Sequence, residues 1–194
     1  MTRACIAALA WAAIAGCAGS APVPVSYYLL DPGATQAQRV VEHAQRPILG
    51  LERVDLAAYL KQPGMVLQTG DHQVQLSRTH LWAESLDLAL PKALVRALQA
   101  RTDAYSCVLG GGDWAGPADL RLRVRIDSLQ ANDRGEVVAA GRYQLLAADR
   151  PPRLADFRFS RDLTEDGHAH AVARMRELLD DIAAAILDAA GSGS

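Results

Sequence analysis

Apolar positions recur along the chain with two periods, and each period predicts a kind of element. Over residues 119–127, Leu120, Leu122, Val124 and Ile126 alternate with Arg121, Arg123, Arg125 and Asp127. That two-residue repeat belongs to a strand with one buried face. Asn132-Asp133-Arg134-Gly135 turns the chain into a second strand over 136–147. Asp149-Arg150-Pro151-Pro152 turns it again into a third over 154–163, with Phe157 and Phe159 on one face. The three predict an antiparallel meander with a charged outer face. Upstream, residues 23–30 (VPVSYYLL) predict a first strand, ended by Asp31-Pro32-Gly33, and residues 47–56 (PILGLERVDL) a second with Ile48 and Val54 in the core. Beyond Pro63-Gly64, residues 65–68 and 72–77 predict a hairpin in which Val74 and Leu76 alternate with Gln73 and Gln75, giving it one buried face. Residues 105–109 form a short strand before a loop of Gly110, Gly111 and Gly112.

A longer period marks two helices. Leu86, Leu90, Leu94 and Leu98 recur every four residues, predicting a helix over 85–101 with Ser85 as its cap. Pro91 removes a backbone donor, so this helix is expected to kink there or to begin near Leu90. Val172, Met175, Leu179, Ile182 and Ile186 form a narrow apolar seam on a helix from about 168 to 189. The fold class is therefore α+β: a largely antiparallel sheet with two amphipathic helices packed on one face.

The N-terminus follows neither pattern. Arg3 precedes an apolar run over residues 4–15, too short for a comfortable membrane span of about 20 residues and matching a secretory signal. The run ends in Ile14-Ala15-Gly16-Cys17, which resembles the bacterial lipobox. That resemblance implies a diacylglycerol on the Cys17 thiol, cleavage before Cys17 and an N-acyl chain on the new amine. Several chains give stable anchoring where one does not. Ala18 stands where an Asp would signal inner-membrane retention, which implies the outer membrane. The chain thus divides into a signal (1–16), a lipidated N-terminus and tether (17–25), one folded domain (26–190) and a tail (191–194). Cys5 leaves with the signal and Cys17 carries lipid, so Cys107 remains as a lone thiol without a disulfide partner, expected to be buried and inert.

Composition narrows the function. A net charge of −2 and only 5% aromatic residues exclude the basic, stacking surface of a nucleic-acid binder. No G-x-S-x-G elbow is present, and the glycines at 110–112 lack the Lys-Ser/Thr of a phosphate loop. Asp166, His168 and His170 are the best metal candidates and would carry the rival reading of a periplasmic metallohydrolase. Residues two apart at a helix start diverge by about 200°, however, and His43, His72 and His80 stand alone. No catalytic or metal-binding set is assigned. Arg121, Arg123 and Arg125, with Arg142 and Arg158 on neighbouring strands, could meet an acidic partner or lipid headgroups. Asp127, Glu136, Asp156 and Asp162 interleave with them, so a solvated face of cross-strand pairs is the simpler expectation.

Several segments together resemble the PqiC/YmbA-like lipoproteins, auxiliary components of ABC-type transport systems that use MCE-domain proteins. Tyr27-Tyr28-Leu29-Leu30 with Pro32 is similar to their Y-Y-x-L opening strand. Residues 54–60 (VDLAAYL) resemble V-x-L-P-x-Y-L with Ala57 in place of proline, and residues 81–86 (LWAESL) resemble a W-A-E-P-L segment with Ser85 in place of proline. Gly141-x-Tyr143-x-Leu145 follows in family order. The resemblance implies a non-catalytic lipoprotein at the periplasmic face of the outer membrane, without cofactor beyond its own lipid. It would dock an MCE-domain protein that spans the periplasm and help move phospholipid or another hydrophobic molecule between membranes. Because MCE assemblies are rings, a homo-oligomeric ring is a natural form. Tyr59, Leu60 and Trp82, if exposed, would be natural interface anchors beside Arg121, Arg123 and Arg125. A structural or assembly lipoprotein of another envelope complex is the remaining alternative.

Overall fold

The structure, a computed structural model, describes residues 23–33, 46–110 and 117–191. The signal, Cys17 and its lipobox, the tether to residue 22, the polar stretch at 35–45, Gly111, Gly112 and the last three residues lie outside the described residues. The strands are β1 (Ser26–Tyr28), β2 (Ile48–Leu56), β3 (Gly64–Gly70), β4 (Gln73–Trp82), β5 (Ser106–Leu109), β6 (Leu120–Asn132), β7 (Glu136–Ala147) and β8 (Arg153–Asp162). The helices are α1 (Leu86–Arg101) and α2 (His168–Gly191), with a 3-10 turn at Ala58–Lys61.

The strong alternation of β6 makes it the spine of one mixed sheet. Leu120, Leu122, Val124 and Ile126 are buried while Arg121, Arg123 and Arg125 face solvent. β7 and β8 follow in an antiparallel meander. On the other edge of β6, β2 pairs parallel with its first half and β3 parallel with its last two residues. β5 adds parallel to β2, β4 antiparallel to β3, and β1 parallel to β4 at the edge. The antiparallel ladders carry most of the paired residues, and the α+β class holds.

Both helices lie on the inner face, α1 over β2 and β5, α2 over β7 and β8, touching each other. Their apolar stripes are buried as spaced: Leu86, Leu90, Leu94 and Leu98 on one, Val172, Met175, Leu179, Ile182 and Ile186 on the other. α1 begins at Leu86 and runs through Pro91 rather than starting at it. Proline costs about 3 kcal/mol in a helix interior. Burying Leu86 and Leu90 ahead of it recovers about 1.5–3 kcal/mol each, so the extra turn holds. Ser85 makes no side-chain cap; its carbonyl instead accepts from the Leu88 and Ala89 amides. Gly191 ends α2 and is not part of a tail.

Two expectations for core residues fail. Ile48 is only half-buried and lies off the core, which Leu49, Leu51 and Leu56 fill, with Val54 packed partly buried against it. The β2–β6 register shifts between Leu51 and Arg53, so Glu52 and Arg53 both face out and the alternation restarts. The β3–β4 hairpin exists, but Val74 and Leu76 are exposed because they face away from the helices: Val74 pairs with Gln68 and Gln68 with Asn132, next to the core-facing Ala131.

Candidate functional site

Three places collect the residues singled out by sequence: the outer face of β6, the bulge in the middle of β6, and the junction where the N-terminal segment meets α2. On the outer face, Glu52 accepts from Arg123 Nε at 2.7 Å and from Arg121 at 3.4 Å. The Arg123 hydrogen bond, partly offset by burial, holds the Glu52 carboxyl below its ordinary pKa. Arg125 pairs with Asp127 at 2.7 Å, which raises the guanidinium pKa, and Arg142 pairs with Asp156 at 3.1 Å. The arginine row is therefore largely neutralised by its own neighbours and is not a preformed anion cradle. Such exposed pairs add little stability each.

The bulge explains why the tyrosine and glycine motifs matter. The β6–β7 register shifts between Ile126 and Ser128. Tyr59, carried by the 3-10 turn, donates its hydroxyl to the Asp127 carbonyl at 2.8 Å and lies 3.0 Å from Gln130 Oε1. Gln130, itself buried, accepts the Leu129 amide at 2.8 Å, and the Ala57 amide donates to the Ile126 carbonyl. Opposite the bulge sits Gly141, where a Cβ would lie 2.0 Å from the Arg125 carbonyl oxygen. The expected interface anchors are thus corrected: Leu60 and Trp82 are 1% and 7% exposed, and Tyr59 is half-buried with its hydroxyl engaged. Their apolar bodies complete the core beneath the turn and the end of β4. Glu84 forms an ion pair with Lys92 rather than presenting a free acid.

At the junction, β1 sits on β4 with the Tyr28 hydroxyl 2.9 Å from His80 Nδ1. His80 stacks on His168, the first residue of α2, with ring centroids 3.6 Å apart and planes 8° from parallel. Burial, and secondarily the charge of His80, lowers the His168 pKa. Just beyond β1, Leu30 is buried, and Asp31 reaches Arg96 of α1 at 2.7 Å and Arg176 of α2 at 4.0 Å. One short segment thereby fastens to both helices. No local signal could reveal the His80–His168 pair, because its members are far apart in sequence.

The proposed metal triad does not assemble. His168 turns to His80, His170 turns to Thr164 and Arg174, and Asp166 is exposed. Among the described residues, no three His, Cys, Asp or Glu side chains converge to hold a metal. Cys107 is buried, with burial pushing its thiol to about 11. Its amide donates to Gln99 Oε1, tying β5 to the end of α1.

The family described as ABC-type transport auxiliary lipoprotein component matches residues 28–187, nearly all of the fold just described. The chain belongs to this family. Intermembrane transport lipoprotein PqiC of Escherichia coli is 28% identical over 173 residues, 89% of each chain, and its Shigella flexneri counterpart matches equally. A crystal structure of an uncharacterized protein shares the fold at TM-score 0.70 and 23% identity, covering 84% of this chain and 97% of that one. A Xanthomonas campestris protein does so at TM-score 0.61 and 14% identity, covering 86% and 90%. In this auxiliary lipoprotein the segments that carry the family likeness, around Tyr28, Tyr59, Trp82 and Gly141, are packing devices of the fold.

Proposed function

We propose that this auxiliary lipoprotein is held at the periplasmic face of the outer membrane by lipid on Cys17 and serves, without catalysis, an intermembrane transport system built around an MCE-domain protein. The observation that carries the reading is the pairing of a lipobox ending at Cys17 with a family match of transport-auxiliary type that starts at residue 28. Likeness to a PqiC named for intermembrane transport supports the MCE partner. Ala18 supports the outer membrane. Among the described residues no helix is long and apolar enough to cross a membrane, so the covalent lipid is the anchor this reading needs. A ring of copies would let each subunit reuse one contact on the partner, with the outer sheet face around Arg121, Arg123 and Arg125 as the surface that docks. The cargo is phospholipid or a similarly hydrophobic solute, handled by the partner.

The anchoring part is tested by growing cells with a labelled fatty acid and fractionating the envelope. The intact chain takes up label and enters the outer-membrane fraction, and Cys17→Ser loses both. Equal labelling of the two chains would overturn it.

A further inference from the structure

The outer face of the sheet is not uniform. Its β2–β6–β7 part carries the paired charges, whereas the β1 segment and β4 make its other end apolar. Val23, Val25, Tyr27 and Leu29 are 46–69% exposed at alternate positions, and Val74 and Leu76 are each 41% exposed on the hairpin. The register puts them on one side. Tyr27 pairs with Leu81, Leu81 with Gly64, and Val66 with Leu76. Paired residues share a side, as do Gly64 with Val66 and Val74 with Leu76, two apart in their strands. The register shift between Gly64 and Val66 places three extra residues on β4, which keeps Leu81 and Leu76, five apart, on one side. Scattered apolar residues need no explanation, but a cluster on two adjacent strands does.

We infer that this apolar end rests on the bilayer surface that holds the anchor, giving the domain a second, non-covalent membrane contact; the inference rests on the lipidation of Cys17. The tether argues for it. Only five residues lie between Cys17 and Val23, a span of about 22 Å at full extension. The first described stretch to leave the membrane is therefore the one that carries Val23, Val25 and Tyr27, running into β1. Their chemistry suits an interface: aliphatic side chains enter the acyl boundary, and a tyrosine ring sits at headgroup level. Arg78, exposed on β4 beside Leu76, can meet lipid phosphate. Edge pairing with a second copy fits less well, because β1 is three residues long and is preceded by Pro24, which has no amide to donate. Seated this way, the domain lies against the membrane with a fixed orientation instead of swinging on its tether.

The test uses the processed, lipidated chain reconstituted in vesicles of phosphatidylethanolamine and phosphatidylglycerol, some carrying brominated acyl chains. Separate Val25→Cys, Val74→Cys and Leu154→Cys variants receive a bimane fluorophore; Leu154, more exposed than either, is an apolar site on distant β8. Bromolipid quenching at positions 25 and 74 is expected to exceed that at 154 by about twofold or more. Equal, low quenching at all three positions on protein that floats with the vesicles would overturn the membrane seat while leaving the anchor intact. Cross-linking between copies at position 74 without quenching would overturn it in favour of a second copy. Protein that fails to float and has an unmodified N-terminus would overturn the Cys17 reading and the seat together.

Discussion

Gly141→Ala tests whether the β6 bulge organises this fold. The added Cβ would lie 2.0 Å from the Arg125 carbonyl oxygen, 3.0 Å from its carbon and 3.1 Å from the Ile126 Cα. These are backbone atoms of a central strand, so no side chain can swing aside. Relief requires β6 and β7 to separate by about 1 Å at a point where both are laddered, a displacement larger than packed interiors absorb without cost. Overpacking of this kind costs about 1–3 kcal/mol, and the upper end is expected here because the same stretch of β6 carries the Tyr59 hydrogen bond to Asp127. Urea unfolding of the purified mature chain should show a lower midpoint with an unchanged slope. Gly70→Ala is the control, because its Cβ would meet only Gln73 Cβ at an ordinary 3.9 Å; its cost should stay within about 0.5 kcal/mol. Equal midpoints for the two variants would refute the bulge argument.

Three other outcomes follow from the same geometry. Tyr59→Phe removes the hydroxyl between the Asp127 carbonyl and Gln130 and should cost about 1–2 kcal/mol in the same urea assay; no change would mean that the turn is held by apolar packing alone. The His168 pKa is lowered in the folded chain, so below the ordinary value near 6.5 the unfolded state binds the extra proton. Stability is full above that value and falls as pH drops through the window down to the lowered one. His168→Gln should flatten this fall, whereas parallel pH profiles for the two chains would contradict it. With its thiol pushed to about 11, Cys107 should stay unreactive toward a disulfide reagent at neutral pH until denaturant unfolds the chain; rapid labelling of the native protein would show that β5 opens.

What was legible in the sequence tracks what is local. A single apolar face repeats at fixed spacing in α1, α2 and β6, and those elements form as the spacing predicts. The meander is legible too, because hairpin turns join neighbours in sequence. The parallel pairings are not, since β2, β3 and β6 meet only through the core and no local pattern names the partner. Bulges defeat alternation: the extra residue at Glu52 leaves Ile48 off the core side while Val54, six residues on, pairs with buried Val124 and packs against the core. Val74 and Leu76 read as a buried face because alternation says which residues share a side of the sheet, not which side the helices cover. Tyr59, Leu60 and Trp82 were visible as motif residues, but motif likeness carries no information about depth, and all three proved to be internal supports. The family segments could thus be recognised from sequence, while the contacts at Asp127, His80 and Arg96 that explain them join positions far apart in the chain.

The central claim, that this lipoprotein serves an MCE-based transport system, is tested most directly by photocross-linking the lipidated chain in intact cells, followed by purification in detergent. A photoreactive residue in place of Arg123 or Arg158 on the outer sheet face captures the MCE-domain protein of its transporter, while one in place of Asp87 on α1 does not. Reproducible capture of a different envelope complex from the same positions, with no MCE-domain protein among the adducts, would contradict the account.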